Sequence, residues 1–258
     1  MTFLRSLLFN TAFIVWTALM CVGLLWMLLL PRDQMMAVVR WYLSSIAWME
    51  RTFLGLRYEV RGLENLPAQG SFIIAAKHQS AWETMKLHLI FHDPAVILKR
   101  ELTWIPTWGW YAKKSRMIAV DRGARGRALT SMIENSKPVV AEGRPIVIFP
   151  QGTRVAPGRY VGYRVGVGVL YDELKLPVVP VALNSGLYWP RRSFLKKPGT
   201  IVVEILPPIA PGLTRAQLMQ EMETRLEEAT DRLVIAAGGP PTARPRPEPK
   251  GAMASTTS

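Results

Sequence analysis

From Ser6 to Pro31 the chain carries no charged residue, and residues 7–30, LLFNTAFIVWTALMCVGLLWMLLL, are almost wholly apolar. A helix facing water shows a polar stripe, and this run has none. Its roughly 24 residues at ~1.5 Å each cover ~36 Å, enough for a ~30 Å hydrocarbon layer with some tilt. A cleavable signal peptide would have a shorter apolar core ending at small residues, whereas this one ends LLLPRD. The run therefore reads as a retained membrane helix. Arg32, Arg40, Arg51 and Arg57 follow it and only Arg5 precedes it. That bias places the rest of the chain on the cytoplasmic side of an inner (cytoplasmic) membrane.

A second helix is expected from Met35 to Leu56, where Met35, Val39, Tyr42, Leu43, Ile46, Met49 and Phe53 recur at helical spacing. Trp41, Tyr42 and Trp48 suit a membrane interface, and a helix packed on a soluble domain would carry the same stripe. Residues 1–56 thus form a membrane anchor with an amphipathic helix, 57–236 the main domain, and 237–258 a Pro-rich tail expected to lack structure. Lys and Arg number 32 against 19 Asp and Glu, a formal charge of +13 that points to an anionic partner. The single cysteine, Cys21, lies in the apolar run, which excludes an intrachain disulfide and disfavours a thiol nucleophile.

In the main domain, LRYEV, SFIIAA, AVILK, MIAVD, PIVIFP, VVPVAL and TIVVEIL read as strands. Helical patterns alternate with them, around 81–91, 107–114, 127–141, 165–174 and 214–236. The expectation is an α/β domain with a mixed, largely parallel sheet flanked by helices, ligands binding at the carboxyl ends of the strands.

KHQSAWET follows directly on SFIIAA, setting His78 at a strand end with Glu83 five residues on. On one ideal helix the two would be offset by about 140°. They meet only if His78 stays on the strand side and Glu83 opens the next helix, where the carboxylate can orient an imidazole acting as a base. Ser80-Ala81-Trp82-Glu83 is also a capping box, in which Glu83 serves only the helix. His88 through Asp93 repeats the histidine-to-carboxylate spacing, and His88 and His92 stand four apart, yet no further His or Cys completes a metal site. PIVIFPQGTR ends a strand in a Gly turn and offers Arg154, whose fork suits a pair of phosphate oxygens, unless it is an ordinary surface turn. Lys99 and Arg122 stand at two further strand ends.

KHQSAWET, KREL, AVDRG, FPQGTR and VVPVAL, in this order over residues 57–210, resemble the four sequence blocks of the glycerolipid acyltransferase family, which includes 1-acylglycerol-3-phosphate acyltransferases. The resemblance implies the glycerol-phosphate acyltransferase-like fold and His78 as catalytic base, with Glu83 where the family's block has aspartate and Gln151 where FPEGTR has glutamate. It further implies that Lys99, Arg122 and Arg154 bind an acceptor phosphate, with Thr153 and the loop at Gly152 shaping the pocket and Gln151 binding a glycerol oxygen. No metal or cofactor is expected, only an acyl-CoA or acyl carrier protein thioester as co-substrate. The expected reaction moves its acyl chain to a lysophospholipid, most simply 1-acylglycerol-3-phosphate, in a phospholipid membrane. No G-x-S-x-G elbow offers a covalent nucleophile. The rivals are another lysolipid acceptor, lipid ester hydrolysis, and a non-catalytic basic lipid-binding protein. Nucleic acid is not expected, since the cations cluster at strand ends beside a histidine rather than along one helix face with aromatic residues.

Overall fold

A computed structural model describes residues 1–121, 123 and 126–243. Each of the seven apolar runs is a strand: β1 (Leu56–Arg61), β2 (Ile73–Ala76), β3 (Ala95–Lys99), β4 (Ile118–Val120), β5 (Ile146–Ile148), β6 (Val178–Leu183) and β7 (Gly199–Ile205). They form one sheet in the order β1-β7-β6-β2-β5-β3-β4. Every neighbouring pair is parallel except β6 with β7, so the sheet is mixed and largely parallel. Parallel strands covered on both faces need apolar side chains at every position, and β2 is buried throughout.

Helices cover the two faces. On one face Ile73 and Ala75 of β2 pack with Val167 and Leu170 of α6 (Gly166–Leu174) and with Leu218 and Met222 of α7 (Arg215–Ala236). The alternate residues Ile74 and Ala76 pack on the other face, with Phe9 of α1 (Thr2–Gly23), Ile46 of α2 (Arg32–Met49) and Leu87 of α3 (Trp82–Ile90). This split follows from the two-residue period of a strand. α4 (Trp108–Lys114) and α5 (Gly126–Ala141) complete the set. The G-x-G of Gly166–Gly168 is a close-packed helix start, with the α carbon of Gly168 against the Arg215 side chain.

α1 and α2 pack against each other through a short 3-10 segment, Leu25–Leu29, with Trp16 Nε1 donating to Ser45 Oγ at 2.7 Å and Thr17 bonded to Tyr42 Oη at 2.7 Å. α2 ends earlier than its apolar period suggests, in a π turn over Glu50–Leu54 that sets Gly55 at φ 68° and starts β1. The α2 stripe turns inward, burying Met35, Leu43, Ile46 and Met49, while Trp41 and Trp48 face outward. α1 is long and apolar enough to cross a membrane, and only Ser6 and Phe9 of it are buried. Its N-terminal part and the 3-10 segment that follows it are both tied to the same domain. Ser6 Oγ accepts from Lys196 N at 3.0 Å and Asn10 Nδ2 donates to Phe194 O at 3.0 Å, while beyond the far end, in the 3-10 segment, Leu28 O accepts from Lys114 Nζ.

Two buried ion pairs hold the helices around β2. Lys86 of α3 meets Glu50 at 3.0 Å, and Trp82 Nε1 donates to the same carboxylate at 3.2 Å. Burial pushes Glu50 up and Lys86 down, so each needs the other to stay charged. Removing one partner of such a pair costs ~3–5 kcal/mol, because the other is left buried and alone. Lys77 pairs with Glu227 of α7, which also accepts from Tyr163 Oη at 2.8 Å. Beyond α7, residues 237–243 return to the domain, with Ala243 N donating to Gly158 O at 3.1 Å. The rest of the Pro-rich tail, 244–258, lies outside the described residues.

Candidate active site

The carboxyl ends of β2, β5, β3 and β4 lie side by side along one edge of the sheet, because these four neighbours are parallel. His78 follows β2 and is fixed from both sides. Its N–H donates to Gln151 Oε1 at 3.3 Å, and its carbonyl accepts from Val155 N at 2.8 Å. The ring is stacked on Phe149, centroids 4.0 Å apart at 20°, and its side chain is only 12% exposed. A turn through Ser80 and Ala81 then starts α3, so Glu83 falls in the first helical turn.

Glu83 Oε1 is 2.9 Å from His78 Nδ1 and accepts from Gln79 N and Ser80 N, each at 2.7 Å. Its other oxygen accepts from Ser185 Oγ at 2.8 Å. The carboxylate is wholly buried and four donors surround it. The cap and the orienting role, which stand as alternatives in the sequence, are one arrangement here: Glu83 takes the N–H of Ser80 as a capping box would and holds the imidazole with the same oxygen. Ser80 Oγ completes no full box, since it accepts from Trp82 N at 3.1 Å instead. With Nδ1–H directed at Glu83, Nε2 is the acceptor, and it has no protein partner among the described residues.

His78 lines a cavity of about 840 Å³. Its rim carries Lys99, Gly152, Thr153 and Arg154, and its inner wall the apolar side chains Met27, Leu43, Val96 and Ala112. An apolar chamber with a few convergent polar groups at one end suits a lipid chain with a polar head. Gly152 turns the chain with φ 67°, a left-handed conformation that a side chain disfavours, and this swings Thr153 and Arg154 to the rim. Gln151 is 1% exposed and faces the His78 amide rather than the cavity, so its reach is to the His78 backbone. Arg122 lies outside the described residues. Sequence reasoning missed Phe149, Ser185, Arg191 and Arg192. The first two are ordinary residues of strand-end segments, and the arginine pair follows β6 in a stretch without periodicity.

The second histidine-carboxylate spacing forms no such pair. Asp93 is bound by Arg32 at 2.6 Å and Arg144 at 2.9 Å, and His92 is exposed. His88 borders the cavity's inner wall, where burial pushes its imidazolium from 6.5 down to about 4. The unfolded chain takes up this proton below pH 6.5 and the folded chain only below about 4. Stability from this group is therefore full above pH 6.5 and declines as the pH falls toward 4, by roughly 3 kcal/mol across that window. Urea midpoints from pH 7 to 4.5 should fall more steeply for wild type than for His88→Gln. Parallel slopes would contradict a neutral buried His88.

A family model described as Acyltransferase matches residues 57–184. The 1-acyl-sn-glycerol-3-phosphate acyltransferase of Pseudomonas aeruginosa is 37% identical over 190 residues, 74% of this chain and 74% of that protein. The alpha form from Mus musculus is 29% identical over 164 residues, 62% of this chain and 58% of that protein. The crystal structure of a 1-acyl-sn-glycerophosphate (LPA) acyltransferase from Thermotoga maritima superposes with a TM-score of 0.74 at 24% identity, over 90% of this chain and 98% of that one.

Proposed function

Because the chain belongs to this acyltransferase family, we propose that it moves an acyl group from a thioester to the free hydroxyl of 1-acylglycerol-3-phosphate, forming phosphatidate. The observation that carries the mechanism is the His78–Glu83 pair opening onto the cavity. His78 Nε2 takes the proton of the acceptor hydroxyl as its oxygen attacks the thioester carbonyl. The imidazolium that forms is stabilised by Glu83. The C–S bond then breaks, and the departing thiolate takes the proton back from His78. An ester and a free thiol result, with no acyl-enzyme.

Lys99 and Arg154 at the rim are suited to the acceptor phosphate, and the apolar wall to an acyl chain. If the phosphate is held by a guanidinium fork, Arg154→Lys keeps the charge and loses the two-pronged contact. KM for lysophosphatidate should rise by about tenfold in Arg154→Lys and further in Arg154→Ala. Saturation kinetics with lysophosphatidate, lysophosphatidylethanolamine and monoacylglycerol test this. Monoacylglycerol as the best acceptor, with kinetics indifferent to both substitutions, would refute the phosphate reading.

The exposed apolar side chains Leu4, Leu8, Val15 and Leu19 of α1 and Trp26 of the 3-10 segment support membrane attachment, and Arg32, Arg40, Arg51 and Arg57 after them support a catalytic domain on the cytoplasmic face of the inner membrane. Since the N-terminal part of α1 and the 3-10 segment after it are bonded to the domain, we infer that the helix enters the bilayer alongside it. High salt screens surface charge and leaves apolar burial intact. The protein should stay with membranes through a salt wash, and release by salt alone would mean α1 is not embedded.

A further inference from the structure

We propose that Arg191 and Arg192 form a second anion site at the cavity mouth, which takes the phosphate end of a pantetheine thioester donor while Lys99 and Arg154 serve the acceptor. The proposal rests on the acyl-transfer reading above. The two arginines occupy the middle of a turn closed by Ser193 N donating to Pro190 O at 3.3 Å. Arg192 has φ 59° and Arg191 does not share that sign, the pattern of a type II turn, whose third position favours Gly or Asn. An arginine there occupies a backbone conformation that its own side chain disfavours, which argues for a use of the side chain.

The turn is built onto the site. Arg191 Nη1 donates to Arg154 O at 3.0 Å and reaches Thr153 Oγ1 at 3.5 Å. Its base is set by the buried Trp189, whose N–H donates to Ser185 O at 2.8 Å, and Ser185 is the residue that bonds Glu83. Arg191 and Arg192 are exposed and line the cavity that His78 lines. Among the described residues none of Lys99, Arg154, Arg191 and Arg192 has a carboxylate within 4.0 Å. Four unneutralised cations at one mouth repel one another and suit more negative charge than one phosphate monoester supplies. The reaction brings two phosphorylated molecules to His78. In both coenzyme A and a carrier protein the pantetheine arm ends in phosphate, so the site's ligand chemistry is the same for either donor.

Arg192→Gly separates this role from a structural one, because glycine suits the turn while removing the cation. Steady-state kinetics would compare wild type and Arg192→Gly with palmitoyl-CoA and with palmitoyl-pantetheine, the same arm without phosphates, at saturating lysophosphatidate and then with lysophosphatidate varied. The expected result is a KM for palmitoyl-CoA raised by about tenfold, unaltered use of palmitoyl-pantetheine, an unaltered KM for lysophosphatidate, and a Tm no lower than wild type. Equal effects on both thioesters, an effect confined to lysophosphatidate, or no effect would overturn the donor site. A wild type that acylates lysophosphatidate from neither thioester would instead sink the acyl-transfer reading, and this site with it.

Discussion

His78→Ala is expected to lower acyl transfer by about 10²–10⁴-fold, the range that a positioned general base contributes, while His92→Ala stays near wild type. The ring is held by its stacking on Phe149 and its bond to Glu83, and Nε2 is left for the acceptor hydroxyl. Alanine removes the imidazole that Glu83 orients and leaves the backbone contacts to Gln151 and Val155 intact. The variant should therefore fold and bind both substrates. His92 is exposed and its neighbour Asp93 is committed to two arginines, so among the described residues no bond links His92 to His78. Turnover of both variants, with circular dichroism to confirm folding, checks this. Loss of activity only in His92→Ala would overturn the assignment.

Glu83→Gln should reduce turnover by about 10²–10⁴-fold while stability changes by no more than about 1 kcal/mol. A glutamine can keep its carbonyl oxygen toward the N–H groups of Gln79 and Ser80 and toward Nδ1, and turn its amide to the Ser185 hydroxyl, which can accept. Every hydrogen bond then has a counterpart, and what is lost is the charge that stabilises the imidazolium. A purely capping Glu83 would give unchanged turnover in Glu83→Gln, since a capping box accepts either residue. Glu83→Asp supplies the complementary arm: restoring the carboxylate should recover part of the lost rate, where a loss of shape alone would not be rescued.

The sheet was legible because each strand is a short apolar run bounded by turn residues, and parallel strands buried on both faces need such runs. Periodicity also located α3 through α7 to within a residue or two. The strand-end placement of His78 and Arg154 followed from the same runs. Ends of elements set by tertiary contact did not: α2 stops at Met49 because a π turn delivers Glu50 to Lys86, a contact between residues 36 positions apart in the chain. Buried charges were illegible for a related reason, as Lys77, Lys86, Glu50 and Glu227 have the composition of a surface and are interior only because each meets a partner. Gln151 has the position of a substrate ligand in the sequence, yet its side chain turns to the His78 amide, a direction that residue spacing does not encode. Arg191 and Arg192 lie beyond β6 in an irregular segment, and only the fold brings Arg191 to Arg154 and both arginines to the cavity.

In direct transfer, thioester cleavage is driven by the acceptor's own oxygen. The measurement that tests it most directly follows labelled palmitoyl-CoA through a single turnover on excess purified protein, with and without lysophosphatidate. Direct transfer predicts label in phosphatidate, in amounts matching the thiol released, and negligible cleavage when the acceptor is absent. Release of free palmitate without acceptor, or label fixed covalently on the protein before acceptor is added, would contradict it.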